Sequence, residues 1–182
     1  MDDARPQRIV ILGNCGGGKS TLATQLGAVL DLPVYHLDQI FWKPGWVESE
    51  RDEFDARVLE VTATERWIID GNYTRTLQAR IDRADLIIYI NISRSLAVYR
   101  VVRRSVRHWG RTRPDMGDDC PDHIDPAFLG FVWNYPKRRG FEHRRMVEEA
   151  RAVGERVVVL KAGQEVREFV KTFCGPAENS HV

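Results

Sequence analysis

The sequence predicts a three-layer α/β domain, a parallel sheet with helices on both faces, and three observations carry that reading. Five short, nearly continuous apolar runs recur along the 182 residues, the form of strands buried on both sides. Stretches with apolar residues at helical spacing lie between them. A glycine-rich turn stands directly after the first run and directly before the first helical stretch. Buried strands alternating with helices pack as a parallel sheet between helical layers, and ligands of such sheets sit at the carboxyl ends of the strands.

Taken in order, the first run is Arg8-Ile9-Val10-Ile11-Leu12, stopped by Gly13, and Leu22, Leu26, Val29 and Leu30 mark the helix that follows. Pro33-Val34-Tyr35-His36-Leu37 is the second run. Residues 39–66 are too long for a tight connection and carry Trp42-Lys43-Pro44-Gly45-Trp46 before a helix marked by Phe54, Val58 and Val61. Trp67-Ile68-Ile69 is the third run, after which Asp70-Gly71-Asn72-Tyr73 leads into a helix through Thr74 or Thr76. The fourth run, Asp85-Leu86-Ile87-Ile88-Tyr89-Ile90-Asn91, precedes a stripe of Leu96, Tyr99, Val102 and Val106. Residues 109–126 are rich in Gly, Pro, Asp and Arg and have no period; a further apolar stretch begins near Ala127. Met146, Val147 and Ala150 continue the helical pattern, Arg156-Val157-Val158-Val159-Leu160 is the fifth run, and Val166, Phe169 and Val170 close the series. Residues 175–182 are expected to fray. Long connections in compact domains tend to be binding loops or lids, so residues 39–66 and 109–126 read as functional insertions over one sheet edge.

The length fits one domain, 1–182, with one core. With 27 basic against 26 acidic side chains, the chain is neither a dedicated polyanion binder nor an acidic disordered protein. Any basic function must be local. Of the 27 cations 22 are Arg, which codon bias explains as well as phosphate binding does. No apolar stretch reaches the roughly 18 residues of a membrane span and the first residues lack a signal peptide's pattern, so a cytoplasmic protein with no membrane partner is expected. Cys15, Cys120 and Cys174 are odd in number and scattered, which fits a reducing compartment.

Gly13-Asn14-Cys15-Gly16-Gly17-Gly18-Lys19-Ser20 matches the phosphate-loop pattern G-x-x-x-x-G-K-[ST] in its proper place between strand and helix. Gly13, Asn14, Cys15, Gly16, Gly17, Gly18, Lys19, Ser20 and Thr21 are therefore expected to bind ATP. Lys19 would reach the β- and γ-phosphates and the Ser20 hydroxyl would ligate Mg²⁺. Asp70 ends a strand with a carboxylate suited to hold a Mg²⁺-bound water beside Ser20. Asp38 follows the second strand and could accept or orient the proton of an acceptor hydroxyl. His36 is expected to pack. Trp42 and Trp46 could stack an acceptor ring or anchor the insertion. Residues 94–145 hold twelve Arg or Lys against six Asp or Glu. Arg100, Arg103, Arg104 and Arg107 recur at near-helical spacing, as a solvated face, a nucleic-acid patch or part of a lid would have them. Cys120-Pro121-Asp122-His123 supplies two of the four ligands that structural zinc needs, so zinc is not expected.

The order of the phosphate loop, His36-Leu37-Asp38, Phe41-Trp42-Lys43-Pro44-Gly45-Trp46, Trp67-Ile68-Ile69-Asp70-Gly71-Asn72-Tyr73 and Thr112-Arg113-Pro114-Asp115-Met116 resembles the adenylate-kinase-like P-loop family labelled DNA topology modulation protein. The resemblance runs from about Arg8 to Phe173. It implies a nucleoside-monophosphate-kinase-like fold with a five-stranded parallel sheet, an acceptor-binding insertion at about 39–66 and a lid at about 109–126. Adenylate kinases carry Asp-Gly-Phe-Pro-Arg where this chain has Asp70-Gly71-Asn72-Tyr73-Thr74-Arg75. The Arg is displaced by one position and Phe-Pro is missing, so AMP specificity does not follow.

The function expected is a Mg²⁺- and ATP-dependent small-molecule or nucleotide kinase. Lys19, Asp38, Arg111 and Arg113 would be catalytic, and Asp38, Trp42, Trp46, Asp70, Tyr73 and Arg75 would bind the acceptor. Ser20, and Asp70 through water, would hold the metal. The alternatives are a nucleic-acid-associated ATPase or regulator of DNA topology, and a nucleotide-binding switch without an acceptor. The acceptor and the oligomeric state are open at this point.

Overall fold

A computed structural model of the chain describes residues 5–161 and 163–173; Cys174 and the tail at 175–182 lie outside them. In chain order the elements begin with β1 (Arg8–Gly13), α1 (Lys19–Leu30), β2 (Val34–His36) and α2 (Leu37–Phe41). A hairpin of β3 (Trp42–Lys43) and β4 (Val47–Glu48) leads to α3 (Arg51–Thr62), β5 (Trp67–Asp70), a 3₁₀ turn at Thr74–Thr76 and α4 (Leu77–Arg83). Then follow β6 (Leu86–Ile90), α5 (Arg94–Arg107), α6 (Pro126–Asn134), α7 (Arg139–Ala152), β7 (Val157–Leu160) and α8 (Gly163–Lys171).

The five apolar runs form one parallel sheet in the order β2-β5-β1-β6-β7, as expected. β1 is central, and the chain leaves it for one side of the sheet first and for the other later. The crevice beyond its carboxyl end is therefore a switch point of the topology, and the glycine-rich turn lies there.

Strand parity divides the core. Ile9, Ile11, Ile68, Ile88 and Ile90 face α1 and pack with Leu22 and Leu26, whereas Val10, Leu12, Trp67, Ile69 and Tyr89 face Phe54, Val58, Leu77 and Val147. The same alternation directs the strand ends. Ile68 lies on the α1 face, so Asp70, two residues on, is aimed at the start of α1. Val34 packs on that face too, and His36 follows it by two. His36 and Asp70 are cross-strand partners in the register, which brings their side chains together.

α5 departs from the stripe read in the sequence. Ala97, Val101 and Ser105 are its buried residues, while Tyr99 and Val106 are each 60% exposed. The reason is the neighbour: a Cβ on Gly16 would lie 2.7 Å from the Ala97 carbonyl and 3.2 Å from Val101. A helix lying this close to the phosphate loop must turn small or slender side chains toward it. The apolar stretch from Ala127 forms α6, where Asp125 accepts from the Ala127 amide at 2.8 Å and Pro126 occupies the first turn, a strong start signal.

Residues 109–126 have no regular secondary structure of any length but are not a bare loop. Bridges join Trp109 to Asp122 and Thr112 to Pro121, and Met116, Cys120 and Asp122 are buried. The segment lacks an apolar period because it packs on the β3–β4 hairpin instead of on a core of its own. Among the described residues no helix is long and apolar enough to cross a membrane.

Candidate active site

Three glycines of the loop adopt positive φ, Gly13 at 130°, Gly16 at 72° and Gly18 at 95°. At Gly13 a Cβ would meet the Ile90 carbonyl oxygen at 2.0 Å, so only glycine lets β1 turn beside β6. The loop ends in α1, whose start has neither a capping side chain nor an acidic residue in its first turn. The other long helices have one or the other: Ser93 caps α5 and Asp125 caps α6, while α3 and α7 carry acidic residues in their first turns. The first amides of α1 and the positive end of its dipole are thus left to an anion. Lys19 Nζ donates to the carbonyls of Gly13 and Asn14, both at 3.2 Å. Asn14 is buried and its side-chain amide donates to the Ile92 carbonyl at 3.1 Å, so it braces the loop instead of facing a ligand. Cys15 packs against the α1-side core, and burial pushes its thiol up. Thr21 is exposed.

The Ser20 hydroxyl donates to Asp70 Oδ2 at 2.9 Å, and Asp70 is buried. His36 Nδ1 lies against the other oxygen, Asp70 Oδ1. Burial alone would lower the His36 pKa, but the bond to Asp70 and the charges of Asp70, Asp115 and Asp38 leave it raised. His36 was expected only to pack; the sheet register instead makes it a partner of the strand-end carboxylate.

On the acceptor side Tyr73 donates to Asp38 Oδ1 at 2.8 Å. Asp38 as a residue is exposed at the mouth of the cleft, but its carboxyl is turned among protein atoms, and this loss of solvent raises it above the ordinary carboxylate range against the lowering pull of Tyr73 and Lys19. Lys19, Ser20, Asp38, Asp70 and Tyr73 therefore converge on one crevice. Other expected residues are engaged elsewhere. Arg75 is tied to Asp55 at 2.6 Å and Asp52 at 3.3 Å on α3. Trp46 donates to the Pro121 carbonyl at 3.1 Å and meets Trp42 and His123 edge-on. Trp42 borders a concavity of about 590 Å³ that includes neither Asp38 nor Lys19. These two rings hold the hairpin to residues 109–126, and further bonds run from the Gly45 amide to the Asp119 carbonyl at 2.9 Å and from Cys120 Sγ to the Lys43 carbonyl at 3.4 Å.

Arg113 is 8% exposed and pairs with Asp115 at 2.7 Å and Asp122 at 2.9 Å. Arg111 is exposed. The basic strip divides along α5: Arg100 donates to the Gly16 and Gly17 carbonyls at 3.5 and 3.4 Å, Arg104 approaches Asp122 at 3.7 Å, and Arg103 and Arg107 are exposed. Arg139 and Arg145 pair with acids one turn away on α7.

Two residues without an assigned role in the sequence brace the site. Asn72 accepts from the Gly13 amide at 3.0 Å and donates to the Gly13 carbonyl at 2.7 Å, so a side chain continues the β1–β5 ladder past its end. Arg80, fully buried, donates to the carbonyls of Gly71 at 2.9 Å and Tyr73 at 2.6 Å. Burial lowers its pKa to about 9, with the Asp70 charge opposing. Arg80 thus holds the turn that carries both Asn72 and Tyr73. Asn72 lay inside a motif singled out in the sequence; Arg80 has no local signal.

Among solved structures the chain is similar to shikimate kinase from Bacteroides thetaiotaomicron, with a TM-score of 0.58 and 15% identity over 92% of this chain and 96% of that one. Shikimate kinase from Aquifex aeolicus gives 0.54 and 19% over 92% and 94%. A gluconokinase from Sinorhizobium meliloti gives 0.52 and 15% over 92% and 89%. No protein-family model and no curated protein matches the chain. At such identities the likeness is one of fold, and the chain has the fold of P-loop kinases. These neighbours carry neither the DNA-topology part of the resemblance nor a particular tie to adenylate kinases.

Proposed function

We propose that the chain is an ATP-dependent phosphotransferase acting on a hydroxyl of a small-molecule acceptor. The observation that carries this reading is the pair of Asp38 and Tyr73, a raised carboxylate with a phenol bonded to it, across the crevice from Lys19. A switch without an acceptor has no chemical use for a second carboxylate there. A raised carboxyl is a better general base for an alcohol than an ordinary one.

Lys19 leaves the Gly13 and Asn14 carbonyls for the β- and γ-phosphates, which also take the open start of α1. Ser20 and Asp70 are hard oxygen donors already 2.9 Å apart, a set that fits Mg²⁺, with Ser20 binding directly and Asp70 through water. When bound, Mg²⁺ would neutralise charge between the β- and γ-oxygens. Asp38 takes the proton of the acceptor hydroxyl as its oxygen attacks the γ-phosphorus and ADP leaves. Tyr73 orients Asp38. Residues 109–126 act as the lid, with the exposed Arg111 turned to the charge that develops in transfer and Arg113, paired with Asp115 and Asp122, bracing the segment.

The test is incubation with Mg²⁺-ATP and shikimate, gluconate, polyols, nucleosides and nucleoside monophosphates, with phosphorylated product followed by phosphorus NMR. The expected result is a phosphate ester from one class of alcohol. Asp38→Asn should retain ATP affinity and lose turnover by roughly 10²–10⁴, the usual share of a general base. ADP production that ignores every small acceptor, or that DNA stimulates in a salt-sensitive way, would overturn the proposal.

A further inference from the structure

Lys19 Nζ rests on the carbonyls of two buried residues of its own loop, Gly13 and Asn14, at 3.2 Å each. When Lys19 reaches for phosphate, each oxygen loses a charged donor, and a buried carbonyl without a donor is unfavourable. Each already has a second donor, closer than the ammonium. The Asn14 carbonyl accepts from the Gly17 amide at 3.0 Å, a bond within the loop. The Gly13 carbonyl accepts from Asn72 Nδ2 at 2.7 Å, a bond from outside it. A carbonyl oxygen has two lone pairs, so the second bond persists when Lys19 leaves.

Asn72 is fixed without help from a ligand. Arg80, fully buried, donates to the carbonyls of its two neighbours, Gly71 at 2.9 Å and Tyr73 at 2.6 Å, and the Gly71 amide donates to the Ile11 carbonyl at 3.2 Å. The Asn72 side-chain oxygen accepts from the Gly13 amide at 3.0 Å. A primary amide is suited to this place because it offers one acceptor and one donor side by side, matching the N–H and C=O of Gly13.

We infer that Asn72 is a positioning residue for Lys19: it keeps the Gly13 carbonyl bonded while the ammonium passes from the loop to the phosphates, so that nucleotide binding leaves no buried acceptor empty. The inference rests on the reading of the loop as a nucleotide site. Without the Asn72 amide the ammonium becomes that carbonyl's remaining donor among the described residues and is retained there. The effect of Asn72 on nucleotide affinity therefore runs through Lys19 and requires Lys19 to be present.

A thermodynamic cycle tests this. Calorimetry with a non-hydrolysable ATP analogue and Mg²⁺ is run on wild type, Asn72→Leu, Lys19→Ala and the double variant, with thermal melts to show that each is folded. Leu keeps the branching of Asn and removes both bonds; Asn72→Ala takes its place if that variant does not melt cooperatively. Asn72→Leu should bind the analogue about tenfold more weakly than wild type, as one acceptor emptied on binding predicts. The double variant should bind within about twofold of Lys19→Ala, because no ammonium then leaves the Gly13 carbonyl. A side chain that merely braces the loop would weaken binding by the same factor in both backgrounds. Such additivity, or wild-type affinity in Asn72→Leu, would overturn the assignment while leaving the nucleotide site in place. No binding by wild type would remove the phosphate-loop reading, and this inference with it.

Discussion

Lys19 is turned onto its own loop, its ammonium held by two backbone carbonyls at 3.2 Å. Those bonds are exchangeable, since the side chain is only half-buried and packs little of the core. Lys19→Ala should therefore leave the thermal midpoint nearly unchanged. It should weaken Mg²⁺-ATP binding by about 1.5–3 kcal/mol, the range for hydrogen bonds to charged groups, which calorimetry would read as roughly ten- to 150-fold. Unaltered affinity would count against the phosphate-loop assignment. Asp38 and Asp70 show how neighbouring carboxylates come to differ. Asp70 is at a strand end and inside the sheet register, already bonded to Ser20 and His36. Asp38 is in the first turn of α2 at the crevice mouth with one phenolic partner.

At the scale of elements, the β3–β4 hairpin and residues 109–126 act as one body. Gly117 is the tightest point of their contact: a Cβ there would lie 1.9 Å from the Trp42 carbonyl oxygen, a distance no side-chain motion relieves because both partners are backbone. Gly117→Ala should force the segment off the hairpin while the sheet stays folded. Tryptic cleavage after Arg111 should then be several-fold faster than in wild type, and the ATP analogue with Mg²⁺ should slow it less. Nicking at the wild-type rate would mean that this contact does not hold the segment down. The closeness of α5 to the loop has a similar origin, with Ala97 and Val101 beneath Gly16.

At the scale of the whole molecule, a buried chain of polar groups links the helical layer to the site. His143 on α7 meets Tyr135 at 2.9 Å through Nδ1 and Thr74, just after Tyr73, at 3.1 Å through Nε2. Burial lowers the His143 pKa to about 4, from an ordinary value of 6.5, with the Arg80 charge adding to the effect. Between those values the unfolded chain binds the proton that the native one refuses. This contribution to stability is therefore complete above about pH 6.5 and lost as the pH falls toward 4, about 3 kcal/mol in all. Asp85, held low by Arg8 and two backbone amides, adds its loss only below the ordinary carboxylate range. Urea denaturation should give a clearly lower midpoint at pH 4.5 than at pH 7.5, and His143→Leu should flatten the difference. The raised His36 and Asp38 act in the opposite direction over this interval, so the comparison with the variant decides: the same pH dependence in wild type and His143→Leu would exclude His143 as a buried neutral group.

The strands, their parallel arrangement and the phosphate loop were legible in the sequence because each rests on contiguous residues. Continuous β-branched and aliphatic runs fit only a two-sided interior, and a glycine-rich turn ending in Lys-Ser has its meaning within eight positions. Asp70 and Asp38 were legible as strand-end carboxylates for the same reason. Tertiary structure alone decided which partner each charge meets. Arg75 reads locally as an acceptor-binding residue, yet Asp52 and Asp55 on α3 engage it. Arg113 reads as a free lid cation, yet Asp115 and Asp122 enclose it. The buried face of α5 was set by the loop it presses on, and the destination of Trp42 and Trp46 by a segment more than 70 residues away. Arg80 is invisible in the sequence because its partners are backbone carbonyls, which every residue possesses and only folding brings into line. Local pattern determines what a segment can become; the ion pairs and close approaches that give a side chain its function are made between distant segments, where sequence spacing carries no geometry.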